Sequence, residues 1–277
     1  MNERLRVACV QLASNADRDA NVARAEGFVR EAAGRGARLI ALPEKWNAIG
    51  DADVLRAVAE PAQGSPTLDL VAGWARELDV WILAGSIVVR DAGHERLRNL
   101  SVLIGPDGRQ HAQYAKSHMF DVDIDGVSYR ESDAERGGDE VVVTRVDGVP
   151  LGMTVCYDLR FPELYRLLAL RGARILTVPA AFTMRTGRDH WEVLLRARAI
   201  ENGCFVIAPD IIGDHGAGKV SYGRSMVIDP WGTVLATAPD GEGCIVVDLD
   251  LAAVDRVRAA IPSLANRRPD LYAIRGE

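Results

Sequence analysis

The chain has 277 residues, with 33 lysines and arginines against 39 aspartates and glutamates, a formal net charge of −6 and 48% hydrophobic residues. That length and apolar content suffice for a sizeable core, which excludes an intrinsically disordered chain. The acidic balance, without a run of five like charges, gives no electrostatic footprint for nucleic acid or for an anionic membrane surface.

The N-terminus, MNERLRVACVQLASNAD, follows its charges with only a short apolar run. Neither a secretory signal nor a spanning helix is expected there, and the expected location is the cytoplasm. Apolar residues 6–12 read as a first buried strand, followed by an amphipathic helix at 21–33, a strand at 37–42, a helix at 68–78 and a long strand run at 80–89. The second half repeats the alternation with a helix at 162–170, a strand at 174–178, a helix at 190–202 and a strand run at 204–212. In the helix 190–202, Val193, Leu194, Ala197 and Ile200 fall at i, i+1, i+4 and i+7, while Glu192 and Arg196 pair at i, i+4 on another face. This is α/β layering. The tail 262–277 has no packing period and reads as an arm across a neighbouring surface or subunit. Four cysteines, Cys9, Cys156, Cys204 and Cys244, lack CxxC spacing, so neither a disulfide framework nor a zinc site is expected.

An internal repeat sharpens the picture. RGARLIALPE at 35–44 matches RGARILTVPA at 171–180, and SVLIGPDG at 101–108 matches SMVIDPWG at 225–232. Each half then carries a helix, a buried strand ending in proline, a second helix, another strand and a hairpin turned at Pro-x-Gly. Two such halves predict a pair of pseudo-symmetric mixed sheets with helices on their outer faces, a four-layer α-β-β-α sandwich. No Pro/Gly/Ser-rich linker divides them, so 1–277 reads as a single domain.

Three residues are candidates for chemistry, although a lone cysteine is usually an inert buried hydrophobe and a lone lysine a solvated side chain. Glu44 ends the first repeat's strand where the sister strand has Ala180, and an acid at the end of an apolar strand is costly unless partnered; a cap or a solvated turn is the alternative. Cys156, in GMTVCYDLRFPELYR, sits where an apolar strand stops and a helix begins at Pro162, beside N–H groups able to bind an anion. The polar residues Tyr157, Asp158 and Arg160 that follow argue against a deep core position. A thiol at its ordinary pKa needs a base or a positive field, and none of the five histidines has a recognisable Cys-His setting. Lys116, in YAKSHMFD, supplies a positive charge that could favour thiolate or donate to an oxyanion.

These segments resemble the nitrilase superfamily of carbon-nitrogen hydrolases over nearly the whole chain. The resemblance rests on LPEKWN, YAKSHMFDVDI and GMTVCYDLRFPELYR in that order, with TGRDHWEVLLRARAIEN, SYGRSMVIDPWGTVLA and RRPDLY pointing to the amidase branch that includes omega-amidase and deaminated glutathione amidase. It implies that Glu44 is the general base, Cys156 the nucleophile that forms a thioester, and Lys116 with the Tyr157 N–H the oxyanion donors. Glu131, fifteen residues beyond Lys116, is implied to orient that lysine. Phe182 and Thr186 are implied to border the acyl pocket. Arg185 and Arg188 of the same loop either bind a substrate carboxylate or are solvated. Arg196 and Arg198 are expected in helix-surface or subunit pairs. The implied substrate is the amide of a small carboxylated molecule, with a nitrile or N-carbamoyl hydrolase as the alternative. No cofactor or metal is implied, and a homodimer or higher homo-oligomer is.

Overall fold

The computed structural model describes residues 4–124, 126–216 and 218–272. In the first half, strand Arg4–Gln11, helix Arg18–Gly34, strand Leu39–Ala41, helix Pro66–Leu78 and strand Trp81–Leu83 form parallel units, and the hairpin Arg98–Ile104/Gln110–Ala115 adds antiparallel strands. The second half repeats this order with Val149–Met153, helix Pro162–Leu170, Ile175–Thr177, helix Glu192–Asn202, Phe205–Ala208 and the hairpin Met226–Ile228/Val234–Thr237. Both hairpins turn at the predicted Pro-x-Gly, where Gly108 (φ +72°) and Gly232 (φ +90°) adopt the left-handed backbone that glycine tolerates. The predicted symmetry is broken by strand Gly243–Asp250, which returns to the first sheet and pairs antiparallel with Arg4–Gln11.

Side-chain alternation shows why the halves stack. Along the first strand Leu5, Val7 and Cys9 join one buried cluster with the second half, whereas Ala8 and Val10 join another with Val22, Ala25 and Val29 of the first helix. A strand with apolar residues on both faces must be covered on both. Helices cover one face of the first sheet and the second sheet covers the other, giving the four-layer sandwich. No helix among the described residues is long and apolar enough to cross a membrane.

Several expectations need correction. The run 80–89 is two strands, because the chain turns at Gly85 (φ +53°). A Cβ there would lie 1.9 Å from the Pro43 carbonyl oxygen, so only glycine lets the chain pass close to the residue before Glu44. The run 204–212 likewise stops at Ala208, and Ile212–Asp214 pairs separately with Val220–Tyr222. Helix Glu192–Asn202 buries Leu195, Arg198, Ala199 and Asn202, leaving Val193 and Ile200 exposed. Arg198 is therefore not a surface residue: its guanidinium donates twice to the Leu159 carbonyl, at 3.1 and 2.7 Å, and lies over the Tyr165 ring. Of the expected C-terminal arm, Leu264 packs against the core while Leu271 and Tyr272 are exposed, and 273–277 lie outside the described residues.

Candidate active site

Glu44 follows Pro43 where the chain leaves strand Leu39–Ala41. Its buried carboxylate accepts from Asn99 Nδ2 at 2.7 Å and Lys116 Nζ at 3.0 Å through Oε1, and from the Ala181 N–H at 2.9 Å through Oε2. Lys116 follows strand Gln110–Ala115 and is 2% exposed; its N–H donates to the Asn99 carbonyl, so one residue of the neighbouring strand registers both ends of the Glu44–Lys116 contact. Glu131 opens the turn Glu131–Asp133 after the hairpin Asp121–Ile124/Val127–Arg130. Both of its oxygens accept from Lys116 Nζ, at 2.8 and 2.7 Å, and Oε2 also accepts from the Phe120 N–H.

Cys156 opens the helical turn Cys156–Arg160 with φ +47°, a left-handed conformation rare for a residue with a side chain. Its own N–H is spent on the Pro179 carbonyl at 2.8 Å, and the Asp158 N–H on Val155, with Tyr157 between them. The polar residues after the cysteine do not mark exposure. Cys156 is 8% exposed and Asp158 fully buried. Asp158 accepts from the Tyr114 hydroxyl, the Val155 N–H, the His118 N–H and His118 Nδ1 at 2.7–3.1 Å, which binds the Cys156 turn to the two residues flanking the Lys116 segment. These contacts satisfy a buried carboxylate that the sequence presented as polar surface.

The charges around the sulfur would suit proton transfer from it. Burial pushes the Cys156 thiol far up; the nearby Glu44 charge and hydrogen bond add to this, and Lys116 opposes it. Burial alone would lower Lys116, but Glu131 and Glu44 outweigh it and keep the ammonium. The resting set is therefore a thiol beside a carboxylate and a fixed cation, which suits removal of the thiol proton by the carboxylate at the moment of attack.

The four expected catalytic side chains line one cavity of about 160 Å³, together with Tyr157, Phe182 and Thr186. Arg185 and Arg188 do not line it: both are exposed, and Arg185 pairs with Asp189 at 2.9 Å. The cavity's outer cations come instead from Arg130 and Lys219, with Lys219 Nζ 5.9 Å from the Tyr129 ring centroid and Arg130 paired with Asp123. His215 also lines it, but its ring nitrogens are spent on the Ser14 carbonyl and the Ser221 hydroxyl. Among the described residues no group of His, Cys, Asp and Glu side chains could hold a metal ion.

A sequence model of the carbon-nitrogen hydrolase family matches residues 6–259. The chain belongs to the carbon-nitrogen hydrolases. This carbon-nitrogen hydrolase is 38% identical over 270 residues to omega-amidase NIT2 of Homo sapiens, covering 97% of each chain. It is 39% identical over 264 residues to deaminated glutathione amidase of Synechocystis, covering 94% of this chain and 97% of that one. Its fold superposes on the C. elegans NitFhit protein with a TM-score of 0.90 at 35% identity, covering 98% of this chain and 66% of the other. It is an amidase of the nitrilase superfamily, with that superfamily's α-β-β-α fold. Asn99, Lys45 and Glu135 were not singled out from the sequence, and Asp158 was read there only as a mark of exposure. The pair Glu131 and Glu135, four apart in ESDAE, was the available signal for the last, whereas Asn99 carries no local mark at all.

Proposed function

We propose that the protein hydrolyses the terminal amide of a small carboxylated molecule through a thioester on Cys156. The observation that carries this reading is the convergence of Glu44, Lys116, Glu131 and Cys156 on one small cavity with Lys116 Nζ bonded to both carboxylates. Glu44 takes the thiol proton as sulfur attacks the amide carbon, and Lys116 Nζ with the Tyr157 N–H receives the oxyanion. Glu44 then returns the proton to the departing nitrogen, ammonia leaves, and the thioester remains. Water, deprotonated by the same carboxylate, attacks the thioester through a second oxyanion and releases the acid. Glu131 holds Lys116 in place throughout.

The carboxylated substrate class is supported by Lys219 and Arg130 at the cavity and by the two named amidase relatives. Phe182 and Thr186 border the acyl group in this reading. Incubation with α-ketoglutaramate or deaminated glutathione is expected to release ammonia, and Cys156→Ala is expected to release none while remaining folded. Absence of turnover on carboxylated amides alongside turnover of neutral amides, nitriles or N-carbamoyl compounds would overturn the substrate class.

A further inference from the structure

Beside the Glu44–Lys116–Glu131 contacts lies a second buried cation that the mechanism above leaves unused. Lys45 Nζ donates to Glu131 Oε1 at 3.1 Å and to Glu135 Oε1 at 2.5 Å, with its side chain 10% exposed. Glu131 Oε1 thus accepts from two ammonium groups, Lys116 at 2.8 Å and Lys45. The chain of contacts is continuous, from Asn99 through Glu44, Lys116, Glu131 and Lys45 to Glu135.

The arrangement is costly as packing. Lys45 adopts a left-handed backbone (φ +49°), held by its N–H on Ser86 Oγ at 3.2 Å. Glu135 is fully buried, and its Oε2 has no hydrogen-bond partner. A strained backbone, a buried ammonium and an unsatisfied carboxylate oxygen are each unfavourable, and an apolar pair would avoid the last two. Such costs concentrate where geometry serves a site.

Glu131 explains what the pair does. A carboxylate facing one ammonium would hold it wholly, and Lys116 must also serve Glu44 and the reacting carbon. A second ammonium on the same Glu131 oxygen draws off part of that attraction. We propose that Lys45, itself held by Glu135, is a positioning residue for the amidase reaction, sharing Glu131 so that the Lys116 ammonium stays on the Glu44 and Cys156 side of the cavity. This rests on the amidase reading above. Lys45 and Glu135 also line the cavity, but Lys45 Nζ is spent on Glu131 and Glu135, so Lys45 acts through Glu131 and not by contact with the acyl group. Burial and the neighbouring Glu131 push Glu135 up to about 7 against the pull of Lys45, so near neutral pH it is partly protonated and does not fully cancel the Lys45 charge at Glu131.

The decisive protein is the double variant Lys45→Met/Glu135→Leu, which removes the cation without leaving a buried carboxyl behind. It is compared with wild type for melting temperature, for kcat and KM of ammonia release, and for the pH dependence of Cys156 alkylation by iodoacetamide. The expected result is a preserved melting temperature, a kcat lowered about 10- to 100-fold with KM changed less than about threefold, and an alkylation profile moved to higher pH, because loss of positive charge disfavours thiolate. Unchanged kcat and alkylation would make the pair purely structural and overturn the proposal. So would a loss confined to KM, which would place Lys45 on the substrate. Should wild type hydrolyse no amide, the reading under Proposed function fails by itself, and the alkylation profile still decides whether Lys45 tunes the sulfur.

Discussion

The Glu44 N–H donates to the Ala180 carbonyl at 3.4 Å, so the two positions that the internal repeat equates stand against each other across the seam between the halves. The next residue, Ala181, returns a bond from its N–H to Glu44 Oε2. Two residues beyond the end of each repeat strand stands a proline, Pro43 or Pro179, which cannot extend a ladder as a donor. The Pro179 carbonyl then receives the Cys156 N–H. The seam of a duplicated architecture thereby gathers acid and thiol, and Ala180, fully buried, occupies the place a second carboxylate would have needed.

Glu44→Gln tests the proposed base directly. Both oxygens of Glu44 already face N–H donors, so whichever end of the glutamine carries its NH₂ must oppose one. The variant is expected to lose about 10²- to 10⁴-fold in kcat, the usual contribution of a positioned general base. It is also expected to lose about 1–3 kcal/mol of stability from the mismatched donor. Ammonia release and urea melts measure the two effects; near-wild-type kcat would remove Glu44 from the proton path.

The layers and the chemical residues were legible because their signals are local: a repeated helix–strand–proline unit, a carboxylate opposite a methyl in the repeat, a cysteine at a strand-to-helix junction. What escaped depends on pairs distant in sequence. The break at Gly85 exists because Pro43 crosses it, and the burial of Arg198 exists because Leu159 offers it a carbonyl. For Arg185 and Arg188 the sequence left substrate binding and solvation both open, and the helical turn beginning at Met184 leaves them exposed while Thr186 reaches the cavity. Spacing along one segment does not say which of its sides faces another.

Glu131 and Glu135 should shift stability in opposite directions with pH. Burial opposes the charge on Glu131, but Lys116 and Lys45 outweigh it and hold the group down at about 2, below its ordinary 4.5. Its contribution is present above pH 4.5 and lost as pH falls toward 2. Burial raises Glu135 to about 7, so its contribution is complete below pH 4.5 and lost as pH rises through 7. The stability of wild type relative to Glu135→Gln is therefore expected to fall between pH 4.5 and 7. Chemical denaturation at several pH values checks this, and a difference that rises over that range would reverse the assignment.

Asp158→Asn tests the link between the Cys156 turn and the Lys116 segment. The carboxylate accepts four hydrogen bonds, and an amide cannot accept with its nitrogen. A stability loss of about 1–3 kcal/mol is expected from the unmatched donors. Because the sulfur and the ammonium are then less well held relative to each other, kcat should fall by more than KM rises. A variant that only melts earlier, with kcat intact, would reduce Asp158 to a packing role.

Cys156 has a left-handed backbone, which costs an L-residue with a Cβ about 1–2 kcal/mol and costs glycine almost nothing. Replacing the cysteine by alanine removes the sulfur and keeps that strain, whereas glycine removes both. Glycine also gains freedom in the unfolded chain, worth about 0.4–1 kcal/mol against the native state. The two terms leave a balance in favour of the native backbone, so Cys156→Gly is expected to be inactive yet to unfold at a urea concentration no lower than Cys156→Ala. Were the glycine variant clearly the weaker, the turn would be held by the Cys156 N–H on Pro179 and by Asp158 without strain at Cys156.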